Sequence, residues 1–280
     1  MSPPCPALGR KFLSLALLLL LLIGLASPAT AADKRYSFGV MPQLETAWQP
    51  ILAEIADLAG IRLELDTSTD RQDFEKKLFA GKFDFAYLDP YQLIIAHHRQ
   101  GYQPLVHDLD RTLSGIIVVR KDSPIRQAND LNGKTVAFPS PNDLAATLIP
   151  RAELARLTQI TVTPHYLTDE GAVYDSVVAG RDDAGGGNQE TLDQQPPQVR
   201  EQLRLIHQTA KVSAPPLAVH PRIPKDDYRM VMGALLALGR SEAGRSLLAG
   251  IPFTKIGATS LRDYENLTAM GIEKIYVPGE

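Results

Sequence analysis

The sequence predicts an α/β protein of two lobes, each a mostly parallel sheet flanked by helices. Three observations carry this. Short strand-like runs alternate with helical ones along most of the chain, the pattern of βα units built around parallel strands. These units fall into two sets, separated near Val119–Lys121 and again near His207–Pro216. From Lys225 onward the chain is mostly helical, so those helices must return to the first lobe and make it discontinuous. The expected organisation is a cleaved leader over residues 1–31, lobe 1 over 34–119, lobe 2 over 120–215, and a lobe 1 return over 216–280.

The elements follow in order. Arg10 and Lys11 precede an apolar run from Phe12 to Leu25, and Ala29-Thr30-Ala31 supplies a small-x-small cleavage signal. Charged start, short apolar core and cleavage signal together predict a secretory signal peptide and an exported, periplasmic protein. Tyr36–Val40 reads as a strand. Trp48, Ile51, Leu52, Ile55 and Leu58 recur at helical spacing and predict a helix over Thr46–Ala59. Ile61–Leu65 alternates as a strand, and Arg71–Ala80 is a helix stopped by Gly81. Phe83–Leu88 is a strand, and Pro90–His98 is a helix with proline in its first turn. Leu105–His107 and the β-branched run Ser114–Val119 are strands. In the second set, Thr135–Phe138 is a strand and Ser140-Pro141-Asn142-Asp143 reads as a capping box with proline at the first helical position. Ile160–Tyr166 is a strand, and Gly171–Ala179 a helix ended by Gly180. Gly185-Gly186-Gly187 lets backbone approach another surface, either a ligand or the opposite lobe. Leu203–His207 and Ala218–Val219 are strands. Tyr228–Leu238, Glu242–Leu248 and Leu261–Met270 are helices.

Composition narrows the function classes. The one cysteine, Cys5, lies before the apolar core, so the exported chain carries no disulfide and no thiolate chemistry. Removing residues 1–31 leaves 27 basic residues against 32 acidic ones, a poor balance for nucleic-acid binding. No G-x-S-x-G elbow, complete G-x-x-x-x-G-K-[ST] loop or H-E-x-x-H motif is present. The six histidines are scattered, and neighbours such as His97 and His98 point about 100° apart on a helix and chelate poorly. The expectation is no catalysis, no cofactor and no metal.

Ligands in open α/β sheets sit outside the carboxyl ends of the strands. The loops there supply Thr46 after the first strand, Arg71 after the second, and Tyr87 and Asp89 after the third. In lobe 2 they supply Ser140, Asn142, Asp143, Glu170, Asn188 and Glu190. Loops are polar in any case, and Asp89 before Pro90 also makes a good helix cap. These ten residues are the expected ligand-binding set.

Several stretches resemble the phosphate/phosphite/phosphonate-type periplasmic solute-binding proteins of ABC transporters. They are FGVMPQLETAWQPILAEI, GKFDFAYLDPYQLIIA, VVRKDSPI with DLNGKTVAFPSPNDLAATLIP, AVYDSVVAGRDDAGG, and APPLAVHPRIP with ALLAL. The resemblance runs from about Tyr36 to Leu267. It implies a type II periplasmic binding fold that captures a small-molecule ligand by hinge closure. It also implies a membrane permease as partner, or a separate membrane receptor if the protein senses rather than transports, and a monomer with no nucleic-acid role. In phosphonate-binding members a hydroxyl-rich S-T-S-G stretch grips the phosphonate oxygens. On this chain that stretch falls on Asp143, Leu144, Ala145 and Ala146. The family's aromatic residue after the second strand falls on Arg71, and its lobe 2 histidine falls near Glu170. Glu190 matches a family carboxylate, whereas a second family carboxylate falls on Pro215. The ligand implied is therefore one with a cationic or hydrogen-bond-donor group.

Overall fold

The computed structural model describes residues 34–157 and 159–279, together with Met1. The expected leader lies outside the described residues. In the first lobe the chain forms β1 (Lys34–Gly39), α1 (Glu45–Ala59), β2 (Ile61–Leu65), α2 (Arg71–Phe79), β3 (Phe85–Tyr87), α3 (Pro90–Gln100) and β4 (Gln103–Asp108). The short strand β5 (Thr112–Leu113) leads out of it to β6 (Ile116–Arg120), β7 (Thr135–Phe138), α4 (Ile149–Leu157), β8 (Thr163–Tyr166), α5 (Glu170–Val178) and β9 (Ala184–Gly187). Two short helices, α6 (Gln189–Asp193) and α7 (Pro197–Arg200), precede β10 (Leu203–Gln208). The return runs through β11 (Val212–Ser213), β12 (Leu217–Val219), α8 (Lys225–Leu238), α9 (Glu242–Leu248), β13 (Ile256–Ala258) and α10 (Glu265–Met270).

The first sheet has strand order β13-β4-β12-β3-β1-β2 and the second β10-β6-β9-β7-β8. β1 and β3 run parallel, as do β7 with β8 and β9. The antiparallel pairs are made by strands that carry or follow the lobe crossings: β12 against β3 and β4, β13 against β4, β6 against β9, and β10 against β6. Helices cover both faces of each sheet. The period of two in β6 shows why its side chains are apolar without interruption. Ile116 and Val118 enter the core beside Tyr174 and Val177 of α5, while Ile117 and Val119 enter the core beside Phe138 and Leu154.

The expected division between residues 119 and 120 falls inside β6, which belongs wholly to the second sheet. The β-branched run pairs with β9 and β10 there, and Lys121–Pro124 is the turn after it. The chain crosses instead through residues 109–115 and returns through 209–216. The two crossings pair as an antiparallel ribbon, with Val212 opposite Leu113 and Ser213 opposite Thr112.

The glycine triplet is itself the strand β9. An added Cβ would stand 2.6 Å from Val173 at Gly185, 2.2 Å from the Ala146 carbonyl at Gly186, and 2.1 Å from the Tyr174 hydroxyl at Gly187. The surface these glycines admit is thus formed by helical segments of their own lobe, not by a ligand or the opposite lobe. α4 and the turn before it also touch the first lobe. Leu144, Leu148, Ile149 and Ala152 join one apolar cluster with Tyr91, Leu267 and Met270.

Candidate functional site

The cleft is built by the loops after β2 and β3 on one side and the segment between β7 and α4 on the other. Arg71, Asp89, Leu113, Asn142, Asp143, Leu144 and Ala145 line a space of about 220 Å³. Beyond Leu113 and Ala145 a wider groove of about 750 Å³ is lined by Asp110, Arg111, Asn188, Glu190 and Thr254, among others.

Asp143, not Ser140, is the helix cap. Its carboxylate accepts the Ala146 N–H at 2.7 Å, and the helical turn begins at Leu144. The turn is wide. The Asp143 carbonyl accepts from both Thr147 and Leu148, and that of Leu144 accepts from Ile149. Pro150 has no N–H, so the Ala146 carbonyl four residues back loses its ordinary helical donor. That carbonyl points at Gly186 and the Ala145 carbonyl at Gly115, where only glycine leaves room. Ser140 is exposed, and its backbone carbonyl accepts the Thr147 hydroxyl at 2.7 Å.

Arg71 opens α2 and reaches across to α3. It donates to the Tyr91 hydroxyl at 2.9 Å and to Asp89 at 3.4 Å. Tyr91 in turn donates to Glu75 at 2.5 Å. Burial disfavours the Arg71 charge, but Tyr91, Asp89 and Glu75 outweigh it and raise its pKa. Asp89 stands at the cap position of α3, where its N–H donates to Gln92 at 2.9 Å. Desolvation raises the Asp89 pKa; Arg71 opposes this, and Asp143 and Glu75 add to it.

Glu170, at the start of α5, accepts from the Asn188 N–H at 2.9 Å, the Asn188 side chain at 2.6 Å and Tyr174 at 3.2 Å. Desolvation raises its pKa as well, with Asp143 contributing through its charge and the Asn188 N–H opposing. Asn188 caps α6 by accepting from Thr191 at 2.9 Å. Asp89 and Asp143 therefore face one space in which the Arg71 cation is already paired, and Glu170 stands outside that space within electrostatic reach of Asp143.

The ten expected residues divide. Arg71, Asp89, Asn142 and Asp143 come together in the smaller space, and Asn188 and Glu190 line the wider groove. Glu170 lies behind Asn188 as a brace. Tyr87 is buried between Trp48 and Phe253, 5.1 and 5.7 Å away between ring centres. Thr46 is exposed on the first turn of α1 and Ser140 is exposed before the wide turn; neither lines the two spaces. Asp110, Arg111 and Thr254 were not among the expected residues. Asp110 and Arg111 follow β4, the same post-strand position that selects Asp89, so the rule applied to the fourth strand finds them.

The family model for the ABC transporter, phosphonate, periplasmic substrate-binding protein matches residues 38–264. The chain belongs to this family. Its members are solute-binding proteins that work with membrane permeases and are not enzymes. The fold is similar to that of a Xanthomonas citri protein solved bound to ATP, with TM-score 0.75 and 19% identity over 86% of this chain and 98% of that one. It is also similar to a Prochlorococcus marinus protein in complex with methylphosphonate, with TM-score 0.66 and 14% identity over 88% of this chain and 100% of that one. A binding protein component of an ABC phosphonate transporter from Pseudomonas aeruginosa gives TM-score 0.61 and 14% identity, over 87% of this chain and 88% of that one. At these identities the likeness is one of fold. The two-lobed type II architecture is shared, and the family is periplasmic.

Proposed function

We propose that this solute-binding protein captures a small ligand bearing an ammonium or similar donor group, and that plain phosphate and alkylphosphonates are not its ligands. One observation carries the reading. The Asp143 carboxylate holds the Ala146 N–H at 2.7 Å, taking the donor that an anion at this helix start would need. The neighbouring carboxylates Asp89 and Glu170 support it, as does an Arg71 already engaged by Asp89 and Tyr91. Of the ten expected residues, Arg71, Asp89, Asn142, Asp143, Asn188 and Glu190, with Asp110 and Arg111 added, are offered as the ligand-facing region, and Glu170 as its support. The β5–β11 ribbon serves as the hinge about which the lobes close, and closure removes water from the charged groups so that each contact counts for more.

Thermal shift and titration calorimetry with ethanolamine, putrescine, inorganic phosphate and methylphosphonate test the reading. A ligand at a hundred times its Kd stabilises by about 2.7 kcal/mol, well within detection. Stabilisation by an amine alone supports the proposal. Stabilisation by phosphate or methylphosphonate alone overturns it. The protein is exported by cleavage after Ala31 and acts as a monomer. N-terminal sequencing of the secreted chain and sedimentation analysis check these two points.

A further inference from the structure

The segment Tyr276–Val277 spans both sides of the cleft. Val277 is gripped at both its backbone groups by one side chain of lobe 2. The Asn142 Nδ2 donates to the Val277 carbonyl at 2.7 Å, and the Asn142 Oδ1 accepts the Val277 N–H at 2.9 Å. Asn142 is 2% exposed and immediately precedes Asp143. The adjacent residue binds lobe 1. The Tyr276 hydroxyl donates to Glu75 at 2.5 Å, and its ring packs 5.8 Å from Tyr91 and 6.0 Å from Phe79. Glu75 is the carboxylate that also accepts from Tyr91, which holds Arg71.

We propose that Tyr276–Val277 is a strap that sets the two cleft walls in register, with Asn142 and Tyr276 as positioning residues. One end fixes the Asn142-Asp143 loop and the other fixes Arg71 through Glu75 and Tyr91. The apolar contact of α4 with α10 holds the lobes together but has no direction, so the walls can slide along it. A buried amide pair has one geometry, and a network of hydrogen bonds fails as a unit when one member is removed. The strap thus gives the two walls their registry, a role separate from ligand chemistry.

The test needs no ligand, so its failure leaves the ligand reading untouched. With Cys5→Ser, cysteines introduced at exposed Asp57 of lobe 1 and Gln198 of lobe 2 carry spin labels for distance measurement. The unaltered strap should give one interlobe distance. Asn142→Ala and Tyr276→Phe should each add a longer-distance population while circular dichroism stays unchanged. Asn142→Asp keeps the shape but loses the donor to Val277, and should do the same if the alanine variant folds poorly. Distances unchanged in the asparagine and tyrosine variants overturn the proposal. A change in only one of them overturns the two-ended strap.

Discussion

Replacing Asp143 by asparagine separates its two roles. Asparagine is as good a cap as aspartate, so the bond to Ala146 at 2.7 Å is retained and stability should stay within about 0.5 kcal/mol of wild type. What is lost is the charge. An anion drawn to the same helix start would lie about 4 Å from that carboxylate, where like charges repel by about 4 kcal/mol at an effective dielectric of 20. Asp143 is half-exposed, and solvent screening reduces this to about 1–2 kcal/mol. Asp143→Asn should therefore bind methylphosphonate roughly 5- to 30-fold more tightly than wild type in titration calorimetry. It should bind amines more weakly by a similar factor. Asp143→Ala, in contrast, loses the cap and about 1 kcal/mol of stability on urea unfolding. An Asp143→Asn variant of wild-type stability with unchanged methylphosphonate affinity would refute the argument that this charge excludes anions.

Four further outcomes follow from the same geometry. Glu75→Ala leaves the donors of Tyr91, Gln92 and Tyr276 without their acceptor and should cost about 2–4 kcal/mol in urea unfolding with an unchanged m-value. Gly186→Ala drives a methyl group to 2.2 Å from the Ala146 carbonyl and 2.5 Å from the Phe138 ring, and should cost about 2–3 kcal/mol by the same measurement. Burial, together with the nearby Arg222 charge, lowers the His220 pKa below its ordinary 6.5, and its Nδ1 accepts the Arg222 N–H at 3.1 Å. Its stabilising effect is complete above pH 6.5 and is lost as pH falls through the lower folded value; a His220→Gln variant should show a flatter melting curve against pH between 7 and 5. Desolvation raises the pKa values of Asp89 and Glu170, so acid protonates them before an ordinary carboxyl; amine affinity in calorimetry should fall as pH is lowered toward the ordinary carboxylate range.

Much of the fold was legible because burial on two faces or one leaves a period in the sequence. The helix at Trp48, Ile51, Leu52 and Ile55 and the strand at Ile116–Val119 both carry such a signal. The glycine strand carries none, since its neighbours are recognised by the absence of a side chain. The β5–β11 ribbon is too short, at two residues a strand, to show a period. The boundary of lobe 2 was misplaced for a related reason. The turn at Lys121–Pro124 looks like a linker, and only the pairing of β6 with β9 shows on which side of the crossing the strand belongs.

The candidate site divides in the same way. Its acids could be read from the loops, but their local roles could not. Ser140-Pro141-Asn142-Asp143 has the residues of a capping box, and nothing within the segment argues against a helix starting at Pro141. What argues against it is Val277, 135 residues away, which takes the side chain of Asn142 in two hydrogen bonds. With Asn142 held there, the first free N–H groups belong to the turn after Leu144, and Asp143 is the side chain placed to cap them. Arg71 illustrates the converse. The sequence offers a cation at a strand end, ready for an anion. The structure commits it to Tyr91 and Asp89 and backs Tyr91 with Glu75. An anion would have to compete with a carboxylate already in place, whereas a cation meets Asp89 and Asp143 across the same space and needs Arg71 only to stay where Tyr91 holds it.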